Sequence, residues 1–231
     1  MPRLTHYPLC PHSRSIRLAL GELQLDFETV YEEPWAWKPS FLAINPSGVL
    51  PVLELEQSQA ICGTYAISEY LAETYPRHPL DGGPPPILPG DFPARAEVRR
   101  LVDWFHLKFN QEITRELLYE KHYNRMVQAG NCMPNSDVLR AVARNQRYHL
   151  DYISFLADHR NWLAGKDLSF ADLVAAAHIS VLDYLGEIDW RDYPSALSWY
   201  LRLKSRRSFI SILEDYLPNQ PPSRHYKDPD H

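Results

Sequence analysis

Residues 41–53 read Phe-Leu-Ala-Ile-Asn-Pro-Ser-Gly-Val-Leu-Pro-Val-Leu, and their punctuation sets the local fold. Residues 41–44 form a short helical run. Asn45 precedes Pro46, and a residue before proline is pushed out of the helical region, so the helix stops there. Ser47 and Gly48 signal a turn. Residues 51–55 then alternate as a strand opened by Pro51, and residues 59–61 offer another. Residues 64–75 follow with Ile67, Tyr70 and Leu71 at helical spacing. Upstream, residues 3–7 are a strand candidate closed by Pro8. Pro11 suits the first turn of a helix, where its missing N–H costs nothing. Ile16, Leu18, Ala19, Leu20 and Leu23 supply that helix with an apolar face, and residues 27–31 read as one more strand. The order β-α-β-α-β-β-α predicts a small mixed sheet covered by helices.

Beyond it the pattern changes. Residues 79–93 are dense in proline and glycine, which exclude helix and inner strand, and predict a stiff linker between residues 1–78 and 94–217. Residues 1–80 carry five basic and nine acidic side chains, residues 94–231 nineteen and eighteen. The second segment reads as all helix. Residues 94–129 place Val98, Leu101, Val102 and Phe105 at helical spacing, and residues 138–159 repeat the pattern. Ser169 and Asp172 stand as N-cap and N3 of a capping box. The helix they open, residues 170–185, is apolar on nearly every face except Asp172, His178 and Asp183, the mark of a buried helix. Residues 218–231 are polar and proline-rich, and predict an extended tail.

Composition bounds the function. Across 231 residues the net charge is -5 and 45% of residues are apolar, which is ordinary globular usage. No basic excess points to duplex nucleic acid. No apolar run reaches the ~18 residues of a membrane span, and residues 1–10 lack a signal pattern, so a cytoplasmic protein without membrane insertion is expected. Cys10, Cys62 and Cys132 have no metal-ligand spacing, and no metal is expected.

Three stretches carry a resemblance. Residues 10–20, Cys-Pro-His-Ser-Arg-Ser-Ile-Arg-Leu-Ala-Leu, resemble the first-helix motif of the omega class of glutathione transferases. Residues 41–53 resemble that superfamily's N-P-x-G-x-V-P-x-L signature, and residues 163–172 its helical-domain box. The resemblance implies a thioredoxin-like α/β N-terminal domain, an all-α C-terminal domain, a cis peptide bond before Pro51 and a homodimer. It implies a glutathione site at Leu50, Pro51, Gly63 and Thr64. There the superfamily's acidic residue, which holds the glutathione ammonium, falls on Gly63, and its serine falls on Thr64. A lost charge-assisted hydrogen bond is worth about 1.5–3 kcal/mol, so weak or absent glutathione binding is expected. Cys10 occupies the omega-like nucleophile position. A helix N-terminus favours a thiolate, and the chemistry implied is mixed-disulfide exchange with glutathione.

Residues 32–43, 101–105, 176–186 and 225–231 resemble, more narrowly, the FzlA family of alphaproteobacteria, glutathione-transferase-like cell-division proteins that bind the tubulin homologue FtsZ. This implies a non-catalytic homodimer on FtsZ filaments. Trp35, Trp37, Tyr226, Asp228 and Asp230 are then the candidate partner contacts. The alternative is a thiol transferase using Cys10.

Overall fold

A computed structural model describes residues 1–55, 59–76, 83–127 and 133–228. Strand β1 (Arg3–His6) leads into helix α1 (Pro11–Glu22), β2 (Glu28–Tyr31), the short α2 (Pro39–Ile44), β3 (Val52–Glu54), β4 (Ala60–Cys62) and α3 (Thr64–Thr74). The sheet order is β2-β1-β3-β4. β1 runs parallel to β2, with Leu4 opposite Thr29, and antiparallel to β3, with Leu4 opposite Leu53. The glutathione transferase fold expected from sequence is therefore present, and the Leu50–Pro51 bond is cis.

Helix α4 (Phe92–Asp103) begins inside the stretch assigned to the linker, which corrects that boundary. Asp91 caps it, its carboxylate accepting from the Ala94 N–H at 3.0 Å. Pro93 sits in the first turn, where a proline needs no N–H partner. The chain then continues as helix to Val127, but not as regular α-helix. Trp104–Thr114 and Tyr119–Tyr123 are π-helical, separated by α5 (Arg115–Leu118) and followed by α6 (Asn124–Val127). The antiparallel helix α7 (Ser136–His159), the central α8 (Phe170–Leu185), α9 (Pro194–Lys204) and α10 (Ile210–Leu213) complete the second segment. Short 3-10 turns lie at Trp190–Asp192 and Arg207–Phe209.

Helix α8 is buried along its length except at Leu185, because α1, α4 and α9 pack around it. Asp172 has no exposed surface and gathers four donors. They are the N–H groups of Leu163 (2.8 Å) and Ser169 (3.1 Å), the Ser169 hydroxyl (3.0 Å) and the Trp199 indole (3.1 Å). The carboxylate thus closes the helix N-terminus and pins the preceding loop and α9 to it.

The expected extended tail is a further correction. The Ser223 N–H donates to Tyr184 O at 2.8 Å, returning the chain to the end of α8. Tyr226 is 0% exposed, its hydroxyl donating to Ile212 O at 3.0 Å. Its ring meets Tyr184 edge-on, with centroids 5.0 Å apart. A large aromatic ring here is buried for the same reason as any core ring: ~150–250 Å² of its surface leaves water. Arg14 forms that pocket. Its guanidinium, fully buried, bonds Pro8 O, the Ser180 hydroxyl and Asp215 and lies over the rings of Tyr184 and Tyr226. Beside it, the buried Asp183 in α8 accepts from the Tyr200 hydroxyl at 3.1 Å and lies 3.5 Å from the Lys204 ammonium and 3.1 Å from His225 Nε2.

Candidate functional site

A cleft of about 560 Å³ opens between the two segments, lined by Cys10, His12, Leu50, Gly63, Thr64 and Tyr123 among others. Helix α1 presents Cys10 as its N-cap, with φ -76° and ψ 113°. The turn is held by the Cys10 N–H on Tyr7 O at 3.0 Å. On the facing wall Leu50, just before β3 starts, lines the cleft. Gly63 caps α3 at φ +87°, its N–H on Pro51 O at 3.0 Å. Open space surrounds the position a Gly63 side chain would occupy. Gly63 itself brings no carboxylate to hold an ammonium; the acidic residue that lines this cleft is Asp103, from the end of α4. Thr64, the first residue of α3, is buried.

The structure therefore brings Cys10, Leu50, Pro51, Gly63 and Thr64 together, but it corrects the expected ionisation of Cys10. Burial pushes this thiol up from its ordinary value, and a hydrogen bond to Ser13 with the nearby Arg14 charge offsets only part of that. Burial penalises the charged form more than the helix N-terminus favours it, so Cys10 is a thiol at neutral pH.

No base in the cleft reverses this. His106 lines it, yet both ring nitrogens are engaged. The Ser15 hydroxyl donates to His12 O at 2.8 Å, so it accepts from His106 Nε2 at 3.3 Å. His106 Nδ1 then accepts from His178 Nε2 at 3.1 Å, and His178 Nδ1 accepts from the Thr114 hydroxyl at 2.9 Å. One proton ordering satisfies the whole chain and leaves no free lone pair on His106. His12 stacks on His106 with centroids 4.4 Å apart, and burial lowers it to about 4. Nearby, Tyr7 is bonded to His122 at 2.5 Å, so its hydroxyl is committed elsewhere.

This imidazole chain was missed in the sequence. His178, a polar residue in an apolar helix, was a signal that something must bond it. Nothing in the spacing of His106 and Thr114 identified them as its partners. Both π-helical turns contribute to the cleft, the first through His106 and Leu107, the second through Tyr123.

The candidate partner contacts separate. Trp37 is 61% exposed at the cleft rim, at an unusual φ of +49°. Its ring lies against Gly48, where an added Cβ would meet it at 2.7 Å. Trp35 is half-buried instead, edge-on to Tyr7 with centroids 5.1 Å apart. Asp228 is exposed. Asp230 lies outside the described residues, as does Cys132. Tyr226, buried under Arg14, is not a surface contact, and that expectation is corrected. Among the described residues no cluster of His, Cys, Asp and Glu is arranged to hold a metal, and no helix is long and apolar enough to cross a membrane.

Residues 4–84 match the model of the glutathione S-transferase N-terminal domain. FtsZ-localized protein A of Caulobacter vibrioides is 43% identical over 98% of this chain and 97% of its own. This chain belongs to the glutathione S-transferase superfamily. Within it, the solved FzlA structure from C. crescentus superposes with a TM-score of 0.92 at 43% identity, covering 100% of this chain and 99% of that one. A structure described as a glutathione S-transferase from Rhodospirillum rubrum F11 superposes at 0.93 with 45% identity over the full length of both. The chain thus aligns over essentially its whole length with a relative named for its localization with FtsZ and with one described as a glutathione S-transferase.

Proposed function

We propose that this protein is a non-catalytic, homodimeric member of its superfamily that binds FtsZ filaments in the cytoplasm of a dividing bacterium. The observation that carries the reading is the state of the inherited site. Cys10 is a half-buried thiol, the His106 lone pair near it is engaged, and Gly63 offers glutathione no carboxylate. The family relation to FtsZ-localized protein A supplies the partner. Trp37 with the half-buried Trp35, and Asp228 with Asp230, are the contacts assigned to it. Tyr226 serves only to seat the tail that carries the aspartates. The exposed Tyr65 and the flanking α3 and α4 surface, with the Arg99–Glu69 pair, are the surface assigned to dimerisation.

Co-sedimentation with polymerised FtsZ tests the reading. The protein should pellet with filaments and stay soluble without them, and Trp37→Ala should reduce the pelleted fraction. Light scattering should give about twice 26.9 kDa, a dimer being the expected superfamily state. Calorimetry should show weak or absent glutathione binding. One feature favours the second reading, a thiol transferase: Cys10, Leu50, Gly63 and Thr64 share one cleft. That reading takes over if the protein ignores filaments and Cys10→Ser abolishes a measurable glutathione-dependent thiol transfer.

A further inference from the structure

A second hollow, of about 860 Å³, lies away from the Cys10 cleft. The end of α1 and the loop through Phe27 form one wall, and the end of α9 with residues 205–211 the other. Its chemistry reverses that of the chain. The protein is acidic overall, yet Arg17, Arg202, Arg206 and Arg207 line this groove against only two carboxylates, Glu22 and Asp26.

The compensation of those arginines is uneven. Arg206 is fully paired, its guanidinium forked onto Glu22 at 2.7 and 2.6 Å, and the Ser208 hydroxyl saturates that carboxylate. Arg202 bonds only uncharged acceptors, Asn161 O at 2.7 Å and Asn161 Oδ1 at 3.3 Å, and lies over the Trp162 ring. Arg207 is exposed, and its side chain makes no ion pair or hydrogen bond among the described residues. Arg17 is 5% exposed, bonds both Asp215 oxygens at 2.9 Å and Ser211 O at 2.6 Å, and shares that carboxylate with Arg14. Its Nε is buried without an acceptor among the described residues, and an unmet buried donor costs free energy. Leu25, Phe27 and Pro85 supply an apolar wall.

We propose that this groove binds an acidic peptide segment of a partner protein, its carboxylates on the exposed Arg202 and Arg207 and an apolar side chain on the Leu25–Phe27 wall. Guanidinium forks suit carboxylates, and the volume falls in the range of ligand sites, roughly 300–1,000 Å³. The proposal goes beyond the FtsZ reading and does not depend on it.

The test is fluorescence anisotropy with the full chain and a labelled Asp-Asp-Phe-Asp-Asp peptide. Saturable binding should appear at low salt and weaken as salt rises. Arg207→Gln removes no contact of the fold and should weaken binding about threefold, and the Arg202→Gln/Arg207→Gln pair about tenfold, as exposed charge contacts do. Lys-Lys-Phe-Lys-Lys should not bind. The proposal is overturned by the absence of saturable binding at low salt. It is equally overturned if the double variant, melting like the parent, binds the peptide unchanged. Displacement by inorganic phosphate at concentrations matching the peptide's own dissociation constant also overturns it, because the site would then serve small oxyanions.

Discussion

Removing the Tyr226 ring should cost the whole protein stability. The ring has no exposed surface, touches Tyr184 edge-on, and sits under the Arg14 guanidinium. Its hydroxyl bonds Ile212 O. Truncating a buried aromatic to alanine costs about 3–5 kcal/mol. Tyr226→Phe keeps the ring and loses one hydrogen bond, about 1 kcal/mol. For a chain of this size 1 kcal/mol moves the melting temperature by roughly 2–4 °C. Tyr226→Ala should therefore lower it by about 12 °C and Tyr226→Phe by about 3 °C, taking mid-range values. Thermal and urea unfolding followed by tryptophan fluorescence would measure both. Lys227→Ala, at an exposed position of the same tail, serves as control and should leave the midpoint in place. If Tyr226→Ala melts like the parent protein, the tail is not part of the core and the reasoning fails.

Asp172→Ala strands four donors in a buried site and should cost about 3–5 kcal/mol, the range for breaking a buried charged network, read as a fall in the urea midpoint; a change below about 1 kcal/mol would contradict the bonding described. Burial lowers His6 to about 3 and His12 and His122 to about 4. The unfolded chain binds these protons first as pH falls below ~6.5, so stability is full above that value and declines toward pH 4, by up to about 1.4 kcal/mol per pH unit per group. A flat midpoint between pH 6.5 and 4.5 would exclude this. Gly48→Ala places a methyl group against the Trp37 ring at a φ of +67° and should shift tryptophan emission. Cys10 should alkylate with iodoacetamide more slowly at pH 7.5 than a free model thiol, and a faster rate would place a thiolate there.

Much of the fold could be read in the chain because its signals are local. Pro11, Asn45-Pro46 and Ser169 with Asp172 mark helix ends by backbone geometry, and the sheet elements follow the alternation between them. The linker boundary failed because a proline in a first helical turn looks, in sequence, like one in a loop; Asp91 two residues earlier was the disambiguating cap. Tyr226 failed for another reason. Its pocket is assembled from Arg14, Tyr184 and Ile212, which are far apart in sequence, and no local pattern announces a contact across so many residues. The inherited site divides the same way. Its residues were named from motifs, but the ionisation of Cys10 depends on how much protein surrounds it, which only packing decides.

The wide turns at Trp104–Thr114 and Tyr119–Tyr123 bear on how such chains diverge. In a regular α-helix one inserted residue rotates everything beyond it by about 100°, turning a buried face toward water. A π turn absorbs the extra residue where it falls and returns the helix to phase. A gene lineage can therefore add or lose a single codon in this helix, change which side chain faces the cleft, and leave Ile113, Leu117 and the core past them in register. Alignments of divergent relatives should place their one-residue gaps at these two turns, making the cleft wall the part of the domain freest to acquire a new partner.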